Sequence, residues 1–289
     1  MTIQAATRPP AAAPARPPAH LPATGRATLG RTVAVASGKG GVGKTWFAAT
    51  LAHALARRGR RVLLFDADLG LANVDIQLGL TPRHDLGAVA FGTVTMAQAV
   101  ERFVPGGQDT VGQDTVGQGG AGFDVLAGSS GSGALSALDA AGVERLLAAL
   151  AATAAGYDHV LLDLGAGLDR AVRRMSAWAD TLLVIATEEP TSLTDAYAAL
   201  KLHAADRPGG DAKLVVNQVS SPAAGARTAA ALERACTAFL GRAPALAGFV
   251  RRDQHVGDAI RRQAPLLTRY PNCPASVDVE RIAGALLGA

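Results

Sequence analysis

The segment Gly38-Lys39-Gly40-Gly41-Val42-Gly43-Lys44-Thr45 fits the pattern G-x-x-x-x-G-K-T and decides the fold class. Residues 32–36, just before it, are an apolar run that predicts a buried strand. Residues 46–56, just after it, are alanine-rich and predict a helix that ends near Gly59. A glycine loop between a strand and a helix can wrap phosphates with backbone N–H groups, in front of the positive helix N-terminus. A glycine-rich turn that matches by chance is rejected because strand, loop and helix occur together.

Two lysines lie inside this loop, although lysine is rare in the chain. Lys39 and Lys44 are two of only four lysines among 28 lysine and arginine residues. A phosphate-binding loop favours the compact ammonium of lysine over the planar guanidinium of arginine. We expect Lys44 to contact the β and γ phosphates and Thr45 to bind magnesium. ATP and Mg²⁺ are therefore the predicted ligands.

Length and composition indicate one principal domain. The chain has 289 residues, 49% of them hydrophobic, which is enough for a large core. Cys236 and Cys273 form neither a CxxC pair nor a zinc spacing, so a structural role in a reducing cytoplasm is predicted for both. The sequence contains no apolar run of about 18 residues and no apolar core of a signal peptide.

The basic charge is concentrated at the N-terminal end. The sequence pI is 9.4 and the net charge is +4, but residues 1–30 contain Arg8, Arg16 and Arg26 and no acid, which leaves +1 for residues 31–289. Residues 1–30 are rich in proline and alanine, which predicts a disordered leader before a folded domain at 31–289. A nearly neutral domain does not predict nucleic acid as a partner.

Strand and helix signals alternate along the folded part. This alternation predicts an α/β protein with a doubly wound, mostly parallel sheet and helices on both faces. Further strands are predicted at 61–66, 123–126, 159–163, 181–186, 213–219 and 246–250. Further helices are predicted at 137–154, 168–178, 192–205, 223–240, 254–262 and 274–287. The pentapeptide at 107–111 is repeated at 112–116, which predicts a surface loop lengthened by duplication.

Polar side chains stand at the ends of three predicted strands. Asp66 and Asp68 follow the second strand, Asp163 ends an apolar strand of Walker B type, and Asn217 lies near the end of another. The carboxyl ends of parallel strands form the ligand-binding edge of such sheets. The aspartates are therefore candidates for holding magnesium or orienting water, and Asn217 for bonding a nucleotide base. The alternatives, solvated loop aspartates and an ordinary turn asparagine, stay open from the residues alone.

Taken together, residues 31–288 resemble the deviant Walker A ATPases of the MinD and ParA group. The mark of that group is a second lysine at the start of the loop, here Lys39. The segments 66–80 and 189–197 are similar to the FlhG (FleN) subfamily of flagellar number regulators. The resemblance implies a P-loop NTPase fold of MinD type.

The resemblance also implies an ATP-dependent homodimer that hydrolyses ATP slowly. Two ATP-loaded subunits would pack face to face, with each Lys39 reaching the nucleotide of its partner, and hydrolysis would separate them. Lys44 and Thr45 would bind phosphate and Mg²⁺, and Asp68 would orient the attacking water. Asp163 would act on Mg²⁺ through water, and Asp66 would support the metal shell.

For the cellular process, the resemblance implies control of flagellar number or placement. The implied partners are the flagellar GTPase FlhF, flagellar switch components or a transcription regulator. The implied location is the cytoplasm, with a peripheral position at the inner membrane or cell pole. Residues 277–287 hold one cation and two acids, which predicts weak or indirect membrane association. The alternative is a ParA- or MinD-type ATPase that positions DNA, the division site or other cargo.

Two residues depart from the resemblance. Trp46 replaces a small hydroxyl residue that often follows the loop threonine, and we expect its bulky ring near the nucleotide. Arg251 stands where MinD relatives often have proline, before residues 252–256, which are expected to line the base. Base specificity is therefore less firmly predicted than phosphate binding.

Overall fold

The computed structural model describes residues 31–106, 121–128 and 138–288. The predicted leader at 1–30, the repeated pentapeptides at 107–116 and the predicted helix start at 137 lie outside these ranges, so those expectations stay predictions.

The strands of the described chain form one sheet. They are β1 (Arg31–Ser37), β2 (Val62–Ala67), β3 (Val100–Phe103), β4 (Phe123–Leu126), β5 (His159–Ala166), β6 (Thr181–Ala186), β7 (Asp211–Val219) and β8 (Ala245–Arg251). Their order across the sheet is β3-β4-β2-β5-β1-β6-β7-β8. All neighbours pair in parallel except β3, which is antiparallel to β4. The predicted doubly wound, mostly parallel sheet is confirmed.

The helices connect these strands. They are α1 (Lys44–Ala56), α2 (Val74–Leu78), α3 (Leu86–Ala90), α4 (Met96–Ala99), α5 (Ala140–Ala154), α6 (Arg170–Trp178), α7 (Pro190–Asp206), α8 (Pro222–Leu240), α9 (Gln254–Arg261), α10 (Leu266–Arg269) and α11 (Pro274–Leu287).

Helices cover both faces of the sheet. On one face α1, α2 and α9–α11 share a hydrophobic core with inward residues of the strands. On the other face α3–α8 share a second core. All residues of α1 except Thr45 are buried, because α1 lies between the sheet and α11. This explains why α1 is alanine-rich and apolar on every side.

The central strand β1 places the functional loop. It pairs with β5 on one side and β6 on the other, so the chain leaving β1 stands at the point where the strand order reverses. In open α/β sheets, ligands bind in the crevice at such a point, beyond the carboxyl ends of the strands. The carboxyl ends of β2, β5 and β7 lie at this same edge of the sheet.

The structure extends the sequence-based assignment at the edges of the molecule. β3 and the short helices α2, α3, α4 and α10 were not predicted, because four or five residues are too few to establish a period. α11 is the predicted last helix of the fold, and it packs on β8 and α1. None of the helices in the described ranges combines the length and apolarity that a membrane crossing requires.

Candidate functional site

Residues 38–45, here called the phosphate loop, join β1 to α1. Gly41 and Gly43 have φ values of 78° and 87°, in the left-handed region that favours glycine. Gly43 is also the N-cap of α1, and no side chain in the described chain caps this helix end by a hydrogen bond. The first backbone N–H groups of a helix lack intrahelical partners. The N-terminus of α1 is therefore available to an anion such as phosphate.

The start of the phosphate loop is packed tightly against α7. A Cβ atom on Gly38 would lie 2.5 Å from the backbone oxygen of Asp195. Ser37 adds a hydrogen bond from its hydroxyl to the backbone oxygen of Lys39, at 2.7 Å. At Gly40, a Cβ atom would lie 4.0 Å from the Ala166 methyl group, an ordinary contact. The path of the loop thus depends on glycine at position 38 for space.

The end of β7 braces the other side of the loop. Asn217 is buried, and its Nδ2 donates to the backbone oxygen of Val42 at 2.7 Å. Its Oδ1 accepts from the backbone N–H of Gln218 at 2.9 Å. A Cβ atom on Gly43 would lie 2.6 Å from Asn217 Nδ2, so this brace also needs glycine. The structure thus places Asn217 against the phosphate loop, and its expected contact with a base stays a prediction.

Asp163 supplies the oxygen that a metal would need beside the loop. It is 1% exposed, and its Oδ1 has no hydrogen-bond partner among the described residues. Burial and the carboxylate of Asp66 raise its pKa to about 7, against the opposing effects of Lys44 and the Thr45 hydroxyl, which donates to it. A buried unpaired carboxylate oxygen next to a threonine hydroxyl fits Mg²⁺, which prefers oxygen ligands. These residues therefore fit the predicted metal.

Asp66 lies directly beside Asp163, since the two residues are register partners on β2 and β5. Its Oδ1 accepts from the backbone N–H of Asp68, and its Oδ2 accepts from those of Asn73 and Val74, at 3.0 to 3.2 Å. Burial raises its pKa to about 6, although these hydrogen bonds oppose the rise. Asp66 therefore organises the segment after β2, and its expected support of the metal shell remains a prediction.

Asp68 stands at the entrance of the same edge and is partly exposed. Its Oδ1 accepts from the backbone N–H groups of Gly70 and Leu71, at 3.2 and 2.9 Å. A Cβ atom on Gly165, near the end of β5, would lie 3.1 Å from this oxygen. Asp68 is thus held between the segment after β2 and the end of β5, close enough to Asp163 to raise its pKa.

Lys44 and Lys39 occupy different environments. Lys44 is 8% exposed and acts electrostatically on Asp163. The Lys39 side chain is 40% exposed, and its Nζ lies 2.6 Å from Glu189 Oε2 and 3.2 Å from Thr191 Oγ1. Glu189 precedes α7 as its N-cap, and Thr191 lies in the first turn. Both residues lie in the segment 189–197 that carries the resemblance, but their contact with Lys39 is not predictable from the sequence, because the two segments are 150 residues apart.

The two departures from the resemblance take unexpected positions. Trp46 is 7% exposed and belongs to the hydrophobic core that also contains Phe103 and Phe123. Its expected position near the nucleotide stays a prediction. Arg251 turns to α11, where it binds Asp278 at 2.7 and 2.9 Å.

Comparison with known proteins agrees with this geometry. Residues 33–266 match the family model of the CobQ/CobB/MinD/ParA nucleotide binding domain. The chain is 34% identical over 253 residues to the antiactivator FleN of Pseudomonas aeruginosa, covering 88% of this chain and 85% of that protein. It is 28% identical over 260 residues to the flagellum site-determining protein YlxH of Helicobacter pylori, covering 88% and 81%.

A solved structure gives the same fold. The septum site-determining protein MinD of Pyrococcus horikoshii, in complex with Mg-ADP, superimposes with a TM-score of 0.70 at 20% identity. The match covers 89% of this chain and 96% of that chain. The described sheet and helices thus share the fold of that MinD structure.

Proposed function

The chain belongs to the CobQ/CobB/MinD/ParA nucleotide-binding family, and on that premise we propose that it is an ATP-driven switch that regulates flagellar number or placement. In the ATP state two copies pair, and the pair binds a partner protein. Hydrolysis is slow and separates the copies. The flagellar assignment is supported by the 34% identity to FleN over most of both chains.

One observation carries the biochemical part of the proposal. The phosphate loop, with its free helix N-terminus, lies beside a buried Asp163 whose Oδ1 has no partner among the described residues. An unpaired buried carboxylate costs folding free energy, so such a group indicates a ligand that compensates it. Mg²⁺ carried by a nucleotide on the adjacent loop is the ligand of matching charge and hardness.

The roles we assign follow from these positions. The N–H groups of residues 40–45 bind the phosphate oxygens, and the buried ammonium of Lys44 neutralises their charge. Thr45 and Asp163 hold the metal, which when bound shields the charge that develops on the phosphates. We assign Asp68 the role of orienting a water for attack on the terminal phosphate. Asp66 keeps the segment that carries Asp68 in place through its three backbone hydrogen bonds.

Lys39 makes hydrolysis depend on pairing in this proposal. In one chain its ammonium is bound by Glu189 and Thr191. Because the side chain is 40% exposed, it is free to exchange these partners for the phosphates of a second copy. A cation added to the transition state raises the rate of phosphoryl transfer by charge stabilisation. The lone subunit would therefore hydrolyse ATP slowly.

Molar mass in solution tests the switch. Wild type, Lys39→Ala and Asp68→Ala are measured with ATP and Mg²⁺, together with phosphate release. We expect a transient dimer for wild type, a trapped and inactive dimer for Asp68→Ala, and a monomer for Lys39→Ala. Three inactive monomers would refute the switch.

Flagellar counts test the process. The gene is deleted in its own organism and complemented with wild type or Lys39→Ala, and flagella are counted by electron microscopy. We expect altered number or placement on deletion, rescued by wild type alone. Normal flagella with mislocalised DNA, division site or other cargo would favour the ParA- or MinD-type alternative. Cytoplasmic location, with peripheral contact at the membrane or pole, belongs to the same proposal and is read from a fluorescent fusion.

The partner proteins that we propose are those of flagellar assembly. FlhF, flagellar switch components and a transcription regulator remain the candidates. Capture experiments with the Asp68→Ala dimer, compared with the Lys39→Ala monomer, separate partners of the paired state from non-specific binders.

A further inference from the structure

Three side chains of different chemistry meet beyond the carboxyl end of β8. They are Asp253, His255 and Cys273, whose carboxylate, imidazole and sulfur ligand atoms all lie within 4.8 Å of one another. Asp253 Oδ1 and His255 Nδ1 lie 2.7 Å apart. Across residues 31–106, 121–128 and 138–288, no other three histidine, cysteine or acidic side chains converge in this way.

The cluster is closed towards the protein and open on one side. The side chain of Asp253 is 4% exposed and Cys273 is 8% exposed, whereas the side chain of His255 is 37% exposed. An ion could therefore enter from the His255 side and meet two ligands that are already shielded from water. The His255 ring packs against that of Tyr270, with the centroids 4.4 Å apart, which limits how the imidazole can turn.

Backbone and hydroxyl groups hold the ligands in place. Asp253 Oδ1 accepts from the backbone N–H of His255 at 3.0 Å, and Oδ2 accepts from that of Ala275 at 3.2 Å. Cys273 is the N-cap of α11, and its Sγ lies 3.3 Å from Ser276 Oγ. Such surrounding hydrogen bonds orient metal ligands, and a helix N-terminus favours a thiolate.

We propose that Asp253, His255 and Cys273 bind a zinc ion, with water in the fourth position. One sulfur, one nitrogen and one oxygen ligand suit zinc, whereas magnesium and calcium would not select a thiol. A tetrahedral zinc site separates its ligand atoms by about 3.3 to 3.6 Å, given metal–ligand bonds of about 2.0 to 2.3 Å. Asp253 Oδ1 and His255 Nδ1 are closer than this, and all three ligand atoms lie within 4.8 Å, so the carboxylate and the imidazole would move apart to accept the ion.

Zinc would displace two protons, one from the Cys273 thiol and one from the hydrogen bond between Asp253 and His255. A thiol loses its proton when its sulfur binds a metal ion, so binding would release one proton from Cys273 to the solvent. The ion also takes the place of the proton between Asp253 and His255. Once bound, it links the end of β8 to the starts of α9 and α11, and stability rises with zinc because the folded state alone has this site.

Cobalt(II) is the probe that tests the site, because a cobalt–thiolate bond gives a charge-transfer band in the near ultraviolet. The full chain is used metal-free, nucleotide-free and reduced, so the result does not depend on the proposed ATP switch. We expect one equivalent of cobalt to produce the band and zinc to remove it. Cys273→Ser should abolish the band, and Cys236→Ser, which changes the buried cysteine of α8, should keep it.

A second pair of variants covers the case in which Cys273→Ser fails to fold. His255→Gln changes the most exposed ligand, and His84→Gln changes an exposed histidine elsewhere. We expect zinc affinity to fall more than about tenfold in the first variant and to be unchanged in the second. A folded wild type without the band, a band that survives in Cys273→Ser, or equal affinity in both histidine variants would overturn the proposal. The cluster would then be only a cap for α9 and α11.

Discussion

Lys39 and Glu189 form an ion pair within one chain, with Nζ 2.6 Å from Oε2. The hydrogen bond from Lys39 lowers the pKa of the Glu189 carboxyl, which keeps that group ionised. Thr191 Oγ1 adds a second contact to the ammonium at 3.2 Å. The lysine that the proposal assigns to the partner's nucleotide is therefore occupied in the single subunit. Pairing has to compete with this contact.

Removing the acid should favour pairing. In Glu189→Gln the charge that holds Lys39 is lost in both copies. The loss of two exposed ion pairs should lower the dissociation constant of the ATP-dependent dimer on the order of twofold to thirtyfold. The dissociation constant is measured by sedimentation, with and without Glu189→Gln, in the Asp68→Ala protein, which does not hydrolyse ATP.

The matched control for this prediction is Glu144→Gln. Glu144 is also exposed and paired with an arginine, Arg174, on helices away from the phosphate loop. We expect no change in dimerisation for this variant. A weaker dimer in Glu189→Gln would mean that Glu189 serves the paired state instead.

Asn217 offers a prediction that separates two roles. If it braces the phosphate loop through Val42, Asn217→Ala should weaken ATP and GTP equally, by about tenfold, since a loop bond is lost in both cases. If it contacts the base, the ratio of ATP to GTP affinity should change. Calorimetric titration with both nucleotides decides, and the structure favours equal losses.

Trp46 should tolerate a smaller ring. Its indole N–H is buried and has no partner among the described residues, so Trp46→Phe removes an uncompensated donor together with some packing. We expect the free energy of unfolding to change by less than about 1.5 kcal/mol. Trp46→Ser, which restores a small hydroxyl residue, should instead cost about 3 kcal/mol or more because it empties a core position.

Chemical denaturation measures both Trp46 variants, and nucleotide titration accompanies it. Affinity for ATP should stay within about twofold in the folded Trp46→Phe protein, because the ring packs in the core. A large affinity change in Trp46→Phe would indicate that the ring does reach the nucleotide.

The central part of the fold could be predicted from the sequence, whereas contacts between segments far apart in the chain could not. The strand, phosphate loop and first helix follow from a local motif, and the pairing of Asp66 with Asp163 follows from two parallel strands ending at one edge. The contact of Asn217 with Val42 joins residues 175 apart, and nothing local specifies it. The same holds for Lys39 with Glu189, 150 residues apart.

Side-chain direction was the other limit. The motif locates Trp46 after the loop, but the ring direction depends on which face of α1 meets the core, and a helix buried on every side carries no polar face to mark it. β3 was not predicted because its four residues, Val-Glu-Arg-Phe, are too few and too polar to indicate a strand. In both cases tertiary packing decides the structure, and the local sequence pattern does not specify it.

The buried charge of Asp163, which the proposed metal site requires, destabilises the metal-free protein. Its pKa of about 7 in the folded protein lies above the ordinary value of 3.8, because burial and Asp66 disfavour the charge. A raised acid pKa means that the folded state binds more protons than the unfolded state between these values. The metal-free protein should therefore lose stability as the pH rises from about 4 to about 7, by a few kcal/mol at most.

Asp163→Asn should remove that loss, since an amide carries no charge to bury. In EDTA we expect the variant to unfold at a higher temperature than wild type at pH 8, and by a much smaller margin at pH 5. Glu233→Gln, which removes an exposed carboxylate on α8, should show no such difference. The same Asp163→Asn protein should lose the dependence of nucleotide binding on Mg²⁺, because the negative charge that would balance the metal is gone. An equal difference in unfolding temperature between variant and wild type at both pH values would show that burial does not destabilise the charged form of Asp163. The Oδ1 of Asp163, unpaired within the described part of the chain, would then no longer support a metal site.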